Sequence, residues 1–260
     1  MKKIWITGAS SGIGEALAYE LNSRGYFVVI SARTEQALLS VKEKSKFPDK
    51  IKILPLDLGE IDQLQSKTDS LISEVGEIDI LVNNGGISQR SFAAETKISV
   101  DERIMRVNFL GTVALTKALL PHMIKRKSGH IVTVSSMVGK FGTPLRSSYS
   151  ASKHALQGFM DALRAEVFES GIDVSIICPG YVATDVSKNA LTADGSKQNT
   201  MDQATANGIE PKEFAKKMAN AIEAKKAEAY IAGSKEMFGL YVSRFFPSLF
   251  RKLVRKMAVT

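Results

Sequence analysis

The chain has 260 residues but only one cysteine (Cys178), one tryptophan (Trp5) and three histidines (His122, His130 and His154). A single cysteine excludes an internal disulfide and every multi-cysteine metal site. It stands in the apolar run "VSIICPG", which reads as a small buried residue rather than a reactive thiol. The histidines are scattered without ligand spacing, so no metal is expected. No stretch approaches the roughly 18 apolar residues of a spanning helix. The opening "MKKIWITGASSGIG" carries the charge of a signal peptide, but its apolar run is short and ends in glycines. The expectation is a soluble, cytoplasmic protein that at most lies peripherally on a membrane.

Acidic residues are also in deficit. There are 27 Asp and Glu against 35 Lys and Arg, a net charge of +8. Such a balance suits nucleic acid or an anionic membrane, but it also serves plain solubility. Much of the excess lies near the carboxyl end. No nucleic-acid motif or interleaved aromatic platform precedes it, so no nucleic-acid partner is expected.

What is present in quantity is alternation. Short apolar runs ("KIWIT", "FVVISA", "IKILPLD", "IDILVNNGG", "GHIVTVSS", "DVSIICPG" and "AYIAG") alternate with helical patterns. The helices are expected at "IGEALAYELNSRG", at 35–46, 61–75 and about 100–127, after Ser147, and at 211 to about 224. Strands apolar on both faces, each followed by a helix, imply a parallel sheet covered on both sides. The expected fold is α/β: a Rossmann-like, doubly wound sheet of about seven strands, with ligands at the strands' carboxyl ends. One catalytic domain should span 1–233. Residues 181–208, rich in Ala, Asn, Thr, Ser and Asp, read as a lid or mobile loop. Residues 234–260 form a basic, aromatic extension.

The first strand runs into "TGASSGIG", residues 7–14, and then into a helix. Gly8, Ser10, Ser11, Gly12, Ile13 and Gly14 therefore form a strand–turn–helix in which backbone can approach a pyrophosphate and the helix N-terminus can meet its charge. Asp57, after the third strand, could accept a hydrogen bond from an adenine amino group. "NNGG" at 83–86, Ser136 and "CPG" end later strands. Singly, each also suits an ordinary cap or turn. Within "SSYSASKHALQGF", Tyr149 and Lys153 lie four residues apart and emerge on one side of a helix.

Together these residues identify a resemblance. From residue 3 to about 233 the sequence resembles the short-chain dehydrogenases/reductases of the roughly 250-residue type. The motifs T-G-x-x-x-G-x-G, N-N-x-G, Ser136 followed thirteen residues later by Y-x-x-x-K, and P-G at 179–180 come in order. The resemblance implies a catalytic set of Asn108, Ser136, Tyr149 and Lys153. It implies cofactor contacts from the glycine turn and from Leu58, Asn84, Gly85, Gly86, Tyr149, Lys153, Pro179, Gly180, Val182 and Thr184. Gly85 departs from the family's usual alanine and should loosen the packing slightly. Homodimers or homotetramers are likewise implied, through the 100–127 stretch and the helix after Tyr149.

The Tyr–Lys pair has a physical use. Lowering a tyrosine pKa from about 10 toward neutrality requires about 4 kcal/mol. A positive charge about 4 Å away supplies about that at an effective dielectric of about 20. Lys153 is thus expected to acidify Tyr149 as proton donor and acceptor, Ser136 to hold the substrate oxygen, and Asn108 to fix a water beside Lys153.

At the end of the second strand Ala32 stands where NAD-preferring folds carry an acid, and Arg33 follows. NADP(H) is therefore expected over NAD(H). Gln89, Phe92, Met137, Phe141, Leu145, Tyr181 and Val186 are the expected substrate contacts, a mixture suited to a moderately apolar carbonyl or secondary alcohol. "NNGGISQRS" and the tail are similar to the subgroup with membrane-associated steroid, retinoid and carbonyl reductases. The alternative is a non-enzymatic NADP(H)-binding regulator, which would have no need of Tyr149 beside Lys153.

In the tail, Phe238, Tyr241, Phe245, Leu249, Leu253 and Met257 recur at helical spacing beside Arg244, Arg251, Lys252, Arg255 and Lys256. Pro247 should divide it into two helices. The tail reads either as a packed helix pair or as an interfacial segment on anionic lipid.

Overall fold

Ile4, Trp5 and Ile6 are consecutive and fully buried, so strand β1 (Lys3–Thr7) must be covered on both faces. The chain then alternates as its apolar runs require. Helix α1 (Gly12–Ser23) leads to β2 (Phe27–Ser31), α2 (Glu35–Lys44) to β3 (Ile51–Ile53), and α3 (Leu64–Val75) to β4 (Ile80–Asn83). Next come α4 (Ile98–Met105), α5 (Gly111–Arg126), β5 (Gly129–Val134), α6 (Ser147–Glu166) and β6 (Ile172–Pro179). The short α7 (Gln203–Ala206), α8 (Pro211–Glu223), β7 (Glu228–Ile231), α9 (Ser234–Phe245) and α10 (Pro247–Leu253) complete it. This computed structural model describes residues 1–256; Met257 of the tail stripe lies outside them.

The strands form one parallel sheet in the order β3-β2-β1-β4-β5-β6-β7. On one face Leu17 and Leu21 of α1 meet Phe214, Met218 and Ile222 of α8. On the other, Leu71 of α3, Leu115 and Leu119 of α5 and Met160 of α6 pack over Trp5, Leu81 and Ile131. Each such side chain contributes about 1.5–3 kcal/mol on burial. The strand order reverses direction between β1 and β4, and the crevice beyond their carboxyl ends is where this fold admits a ligand.

Two helical expectations need correction. The 61–75 segment opens with a 3-10 turn at Ile61–Gln63 before α3 begins. The 100–127 stretch is continuously helical from Ile98 to Arg126 but not uniformly α-helical. A π-helical turn at Arg106–Leu110 separates α4 from α5 and holds Asn108 fully buried. Just beyond it Gly111 passes Leu58 so closely that a Cβ would lie 2.2 Å from the Leu58 carbonyl oxygen. Contrary to the sequence expectation, Ile98–Arg126 is long and apolar enough by composition to cross a membrane. Its residues Leu115, Leu119 and Met123 are instead core residues of the sheet.

The 181–208 segment is more built than a loose loop. Val182 bridges Ile209, and Leu191 bridges both Gln89 and Lys197. The Leu191 N–H donates to Ser88 at 2.9 Å, and the Arg90 N–H donates back to the Leu191 carbonyl at 2.8 Å.

Candidate active site

Thr7 and Asn84 join the ends of β1 and β4. The Thr7 hydroxyl accepts from the N–H groups of Asn84 (3.1 Å) and Gly85 (3.0 Å). The Asn84 amide donates to the carbonyls of Thr7 (3.0 Å) and Gly8 (3.2 Å). Gly8 and Gly12 have φ of +64° and +59°, the left-handed conformation that favours glycine. Beside this turn opens a cavity of about 670 Å³, large enough for a dinucleotide. Gly8, Ser10, Ser11, Gly12, Ile13, Arg33, Asp57, Leu58, Asn84, Gly85, Gly86, Pro179, Gly180, Val182 and Thr184 all line it, as do Ser136, Tyr149, Lys153 and Val186. The turn backbone, the helix N-terminus and the cavity thus fit a pyrophosphate-bearing cofactor.

Gly14 is set apart from the wall. A Cβ there would stand 2.3 Å from the Gly8 carbonyl oxygen, so its glycine serves close packing of helix on turn. Gly85 corrects the expectation of looser packing: Leu58 Cδ1 already fills the space, 2.7 Å from where a Cβ would lie. Asp57 accepts from the Gly59 N–H at 2.8 Å, and Arg33 is exposed at the cavity rim beside Ala32 and Thr34.

Lys153 is buried and its Nζ donates to the Val134 carbonyl at 2.9 Å. Burial pushes its pKa down to about 8. Tyr149 lies on the same helix, its ring centre 5.7 Å from that nitrogen. Burial pushes the phenol above its ordinary range; Ser136, Arg146 and Arg90 act to lower it. Lys153 thus lies over the Tyr149 ring with its ammonium bonded to β5, and Arg146 and Arg90 also bear on the phenol. Asn108 accepts from the Ile87 N–H at 2.8 Å and donates to the Ile87 carbonyl at 2.9 Å and to Ser152 at 3.0 Å. Its amide ties α6 to the segment after β4 and stands off the cavity wall.

Most of the expected substrate contacts lie elsewhere. Gln89 is fully buried, its Oε1 accepting from the N–H groups of Ser148 (2.9 Å) and Tyr149 (3.3 Å), so it anchors α6. Met137 is in the core, and Phe141 packs edge-on against Phe250 of α10 with centroids 5.0 Å apart. Leu145 takes φ of +62° to turn the chain into α6. Tyr181 lies under the Arg146 guanidinium, and Phe92 is exposed away from the cavity. A mixed apolar and polar run does not say which side chain the fold turns inward. Only Val186 of the set reaches the cavity, alongside Ile87, Ser88, Asn189 and Leu191, which sequence pattern did not single out. Among the described residues no cluster of His, Cys, Asp or Glu could hold a metal.

Comparison with known proteins agrees with this architecture. A family model described as short chain dehydrogenase matches residues 2–195. A Drosophila melanogaster protein named dehydrogenase/reductase SDR family protein 7-like is 43% identical over 265 residues, covering 99% of this chain and 81% of that protein. A Xenopus tropicalis protein named dehydrogenase/reductase SDR family member 7B is 40% identical, covering 94% and 82%. The crystal structure of a short-chain dehydrogenase from Streptomyces avermitilis superimposes with a TM-score of 0.83 at 28% identity, covering 98% and 97%. A metagenomic short-chain oxidoreductase in complex with NADP superimposes with a TM-score of 0.73 at 26% identity, covering 90% and 97%. The chain belongs to the short-chain dehydrogenase/reductase family. It is an oxidoreductase acting on CH–OH or C=O groups.

Proposed function

We propose that the enzyme interconverts moderately apolar carbonyls and secondary alcohols with NADP(H), using Tyr149 as general acid and base. The observation that carries this reading is the meeting of Ser136, Tyr149 and Lys153 in one cavity with the glycine turn. When bound, the nicotinamide supplies or accepts the hydride. Gly8, Ser10, Ser11, Gly12, Ile13, Asp57, Leu58, Asn84, Gly85, Gly86, Pro179, Gly180, Val182 and Thr184 would hold that cofactor, with Gly14 shaping the turn. Tyr149 gives a proton to the oxygen left by reduction and takes one in the reverse direction. Ser136 orients the substrate oxygen, Lys153 holds the ribose and biases the phenol, and Asn108 fixes the segment that closes the site. Val186, Ile87 and Leu191 exclude water, while Ser88 and Asn189 add polar contacts. Exposed Arg33, with no acid at Ala32, supports NADP(H) through the 2′-phosphate.

The test is cofactor oxidation against a panel of aldehydes, ketones and secondary alcohols, with NADPH and NADH in parallel. Turnover of an apolar ketone or alcohol with NADPH preferred is expected. Tight NADPH binding with no turnover across the panel would favour the regulator.

We further place the protein in the cytoplasm, peripheral to a membrane through α9 and α10. Phe238, Tyr241, Phe245, Leu249 and Leu253 are exposed, while Val242 and Phe250 are buried. Exposed Arg244, Arg251, Lys252 and Arg255 flank them. Aromatics entering a headgroup region beside basic residues fit an anionic lipid surface, each basic residue contributing on the order of 1 kcal/mol. Exposed Leu110, Ile124 and Phe168 around α5 and α6 support a homodimer or homotetramer. Light scattering at the mass of the 28.3 kDa monomer would exclude it.

A further inference from the structure

The basic tail meets the catalytic domain through one acid. Glu236 is the only acidic residue of 234–260 and stands in the first turn of α9. A carboxylate there suits the positive end of a helix, and a glutamate in that turn commonly folds back on its own cap. Here the side chain reaches elsewhere. Its Oε1 accepts from the Tyr181 N–H at 3.1 Å, a partner 55 positions away.

Gly180 makes that reach possible. A Cβ on it would lie 2.7 Å from Glu236 Oε1 and 2.7 Å from the Ala232 Cβ, so a larger residue would crowd α9 away from the turn. Gly233 is approached as closely: a Cβ there would stand 2.7 Å from Glu236 Oε2. The carboxylate is therefore packed against two glycines, with one oxygen aimed at backbone.

Tyr181 stands where β6 gives way to the cavity wall, of which Pro179, Gly180, Val182 and Thr184 are all part. The backbone of this stretch is held from several elements. The Gly180 N–H donates to the Ile231 carbonyl of β7 at 2.9 Å. The Tyr181 carbonyl accepts from Ile209 at 2.9 Å, and the Ala183 N–H donates to the Ile209 carbonyl at 3.0 Å. The tail contributes the bond to the Tyr181 N–H, a group that is costly to leave without an acceptor. Further along, Thr184 Cγ2 lies 3.1 Å from where a Cβ on Gly12 would stand, so a backbone shift at Tyr181 is carried to the residue facing the glycine turn. Phe250 of α10, against Phe141 in the loop beyond Ser136, ties the tail to the opposite wall.

We propose that Glu236 is a positioning residue for the coenzyme: by accepting from Tyr181 it fixes the backbone of 180–184, so that the seating of α9 sets how that wall fits the bound dinucleotide. This rests on the cavity being the NADP(H) site. The carboxylate acts by its reach as an acceptor, not by its charge.

Three substitutions in the full chain separate reach from charge. Glu236→Gln loses the charge but keeps an oxygen at the same reach. Glu236→Asp keeps the charge and is one methylene shorter. Glu236→Ala loses both while favouring helix. In the coenzyme-free protein, hydrogen exchange of the Tyr181 amide, followed by ¹⁵N NMR, should quicken by about tenfold or more in Glu236→Ala and Glu236→Asp and stay within about threefold of wild type in Glu236→Gln. The NADPH dissociation constant from fluorescence titration should follow the same order, rising by about fivefold or more in the first two. In steady state the KM for NADPH should rise by more than kcat falls. A role in charge or helix capping predicts the reverse order, with Glu236→Asp near wild type and Glu236→Gln as impaired as Glu236→Ala. That order, or an unchanged dissociation constant in Glu236→Ala, overturns the proposal. A wild-type chain that binds no NADPH would remove the coenzyme reading of the cavity and this proposal with it, while exchange that still follows reach would leave the contact itself standing.

Discussion

Lys153 Nζ stands 5.7 Å from the centre of the Tyr149 ring and donates to the Val134 carbonyl. The lysine therefore bridges α6 and β5 beside the tyrosine ring. Tyr149→Phe keeps the ring and removes only the hydroxyl. It should leave the NADPH dissociation constant within about twofold and lower kcat by at least a hundredfold or so, the scale of a lost general acid. Lys153→Ala should weaken both. Fluorescence titration and steady-state turnover read the two effects; substantial activity in Tyr149→Phe would remove it from the mechanism.

The proposed preference for NADP(H) rests on Arg33. Replacing it with Ala should raise the KM for NADPH by about tenfold or more and leave that for NADH nearly unchanged, because only NADPH carries the 2′-phosphate that a guanidinium grips. Equal losses with both coenzymes would show that Arg33 shapes the turn without selecting.

Gly14 and Gly85 differ in what they face. A Cβ at Gly14 meets backbone, the Gly8 carbonyl oxygen at 2.3 Å, and the Asn84 amide at 2.6 Å. Gly14→Ala should displace the turn and weaken NADPH binding by about tenfold or more. At Gly85 the nearest atom is the movable end of Leu58, so Gly85→Ala should change binding by less than about threefold. The reverse order in binding titrations would contradict this geometry.

Acid should find His130. Burial pushes its imidazole down to about 4, and its Nε2 is 2.7 Å from Ser175 Oγ. Between about 4 and the ordinary 6.5 the unfolded chain binds a proton that the folded chain refuses. Stability therefore rises with pH across that window and is lost as pH falls through it, by up to about 3 kcal/mol. His130→Gln should flatten this part of the profile in urea unfolding; parallel curves would assign the acid sensitivity elsewhere.

The tail gives the last prediction. The full chain should co-sediment with vesicles containing anionic lipid, weakly with neutral ones, and less as salt rises. A chain ending at Gly233 should stay in the supernatant. Because Phe250 packs on Phe141, the shortened chain is first checked by circular dichroism. Equal binding of both chains would move the lipid contact off the tail; no binding by either would make its exposed face a protein contact.

By itself the sequence determined the sheet and the cavity's cofactor side. Apolar runs such as "KIWIT" and "FVVISA" state their own burial, and glycine turns such as 7–14 are local geometry that neighbouring residues fix. The pairing of Tyr149 with Lys153 is equally local, one helical turn. The tail's division at Pro247 follows from a missing N–H. What tertiary structure alone decided is whatever depends on distant segments meeting. Gln89 reads as a wall residue until α6 claims its amide, and Phe141 until Phe250 covers it. Tyr181 and Glu236 lie 55 positions apart and carry no shared motif. Periodicity reports which face of an element is buried, but not what is buried against it. The bond between the tail helix and the end of β6 therefore exists only once the sheet has brought the two together.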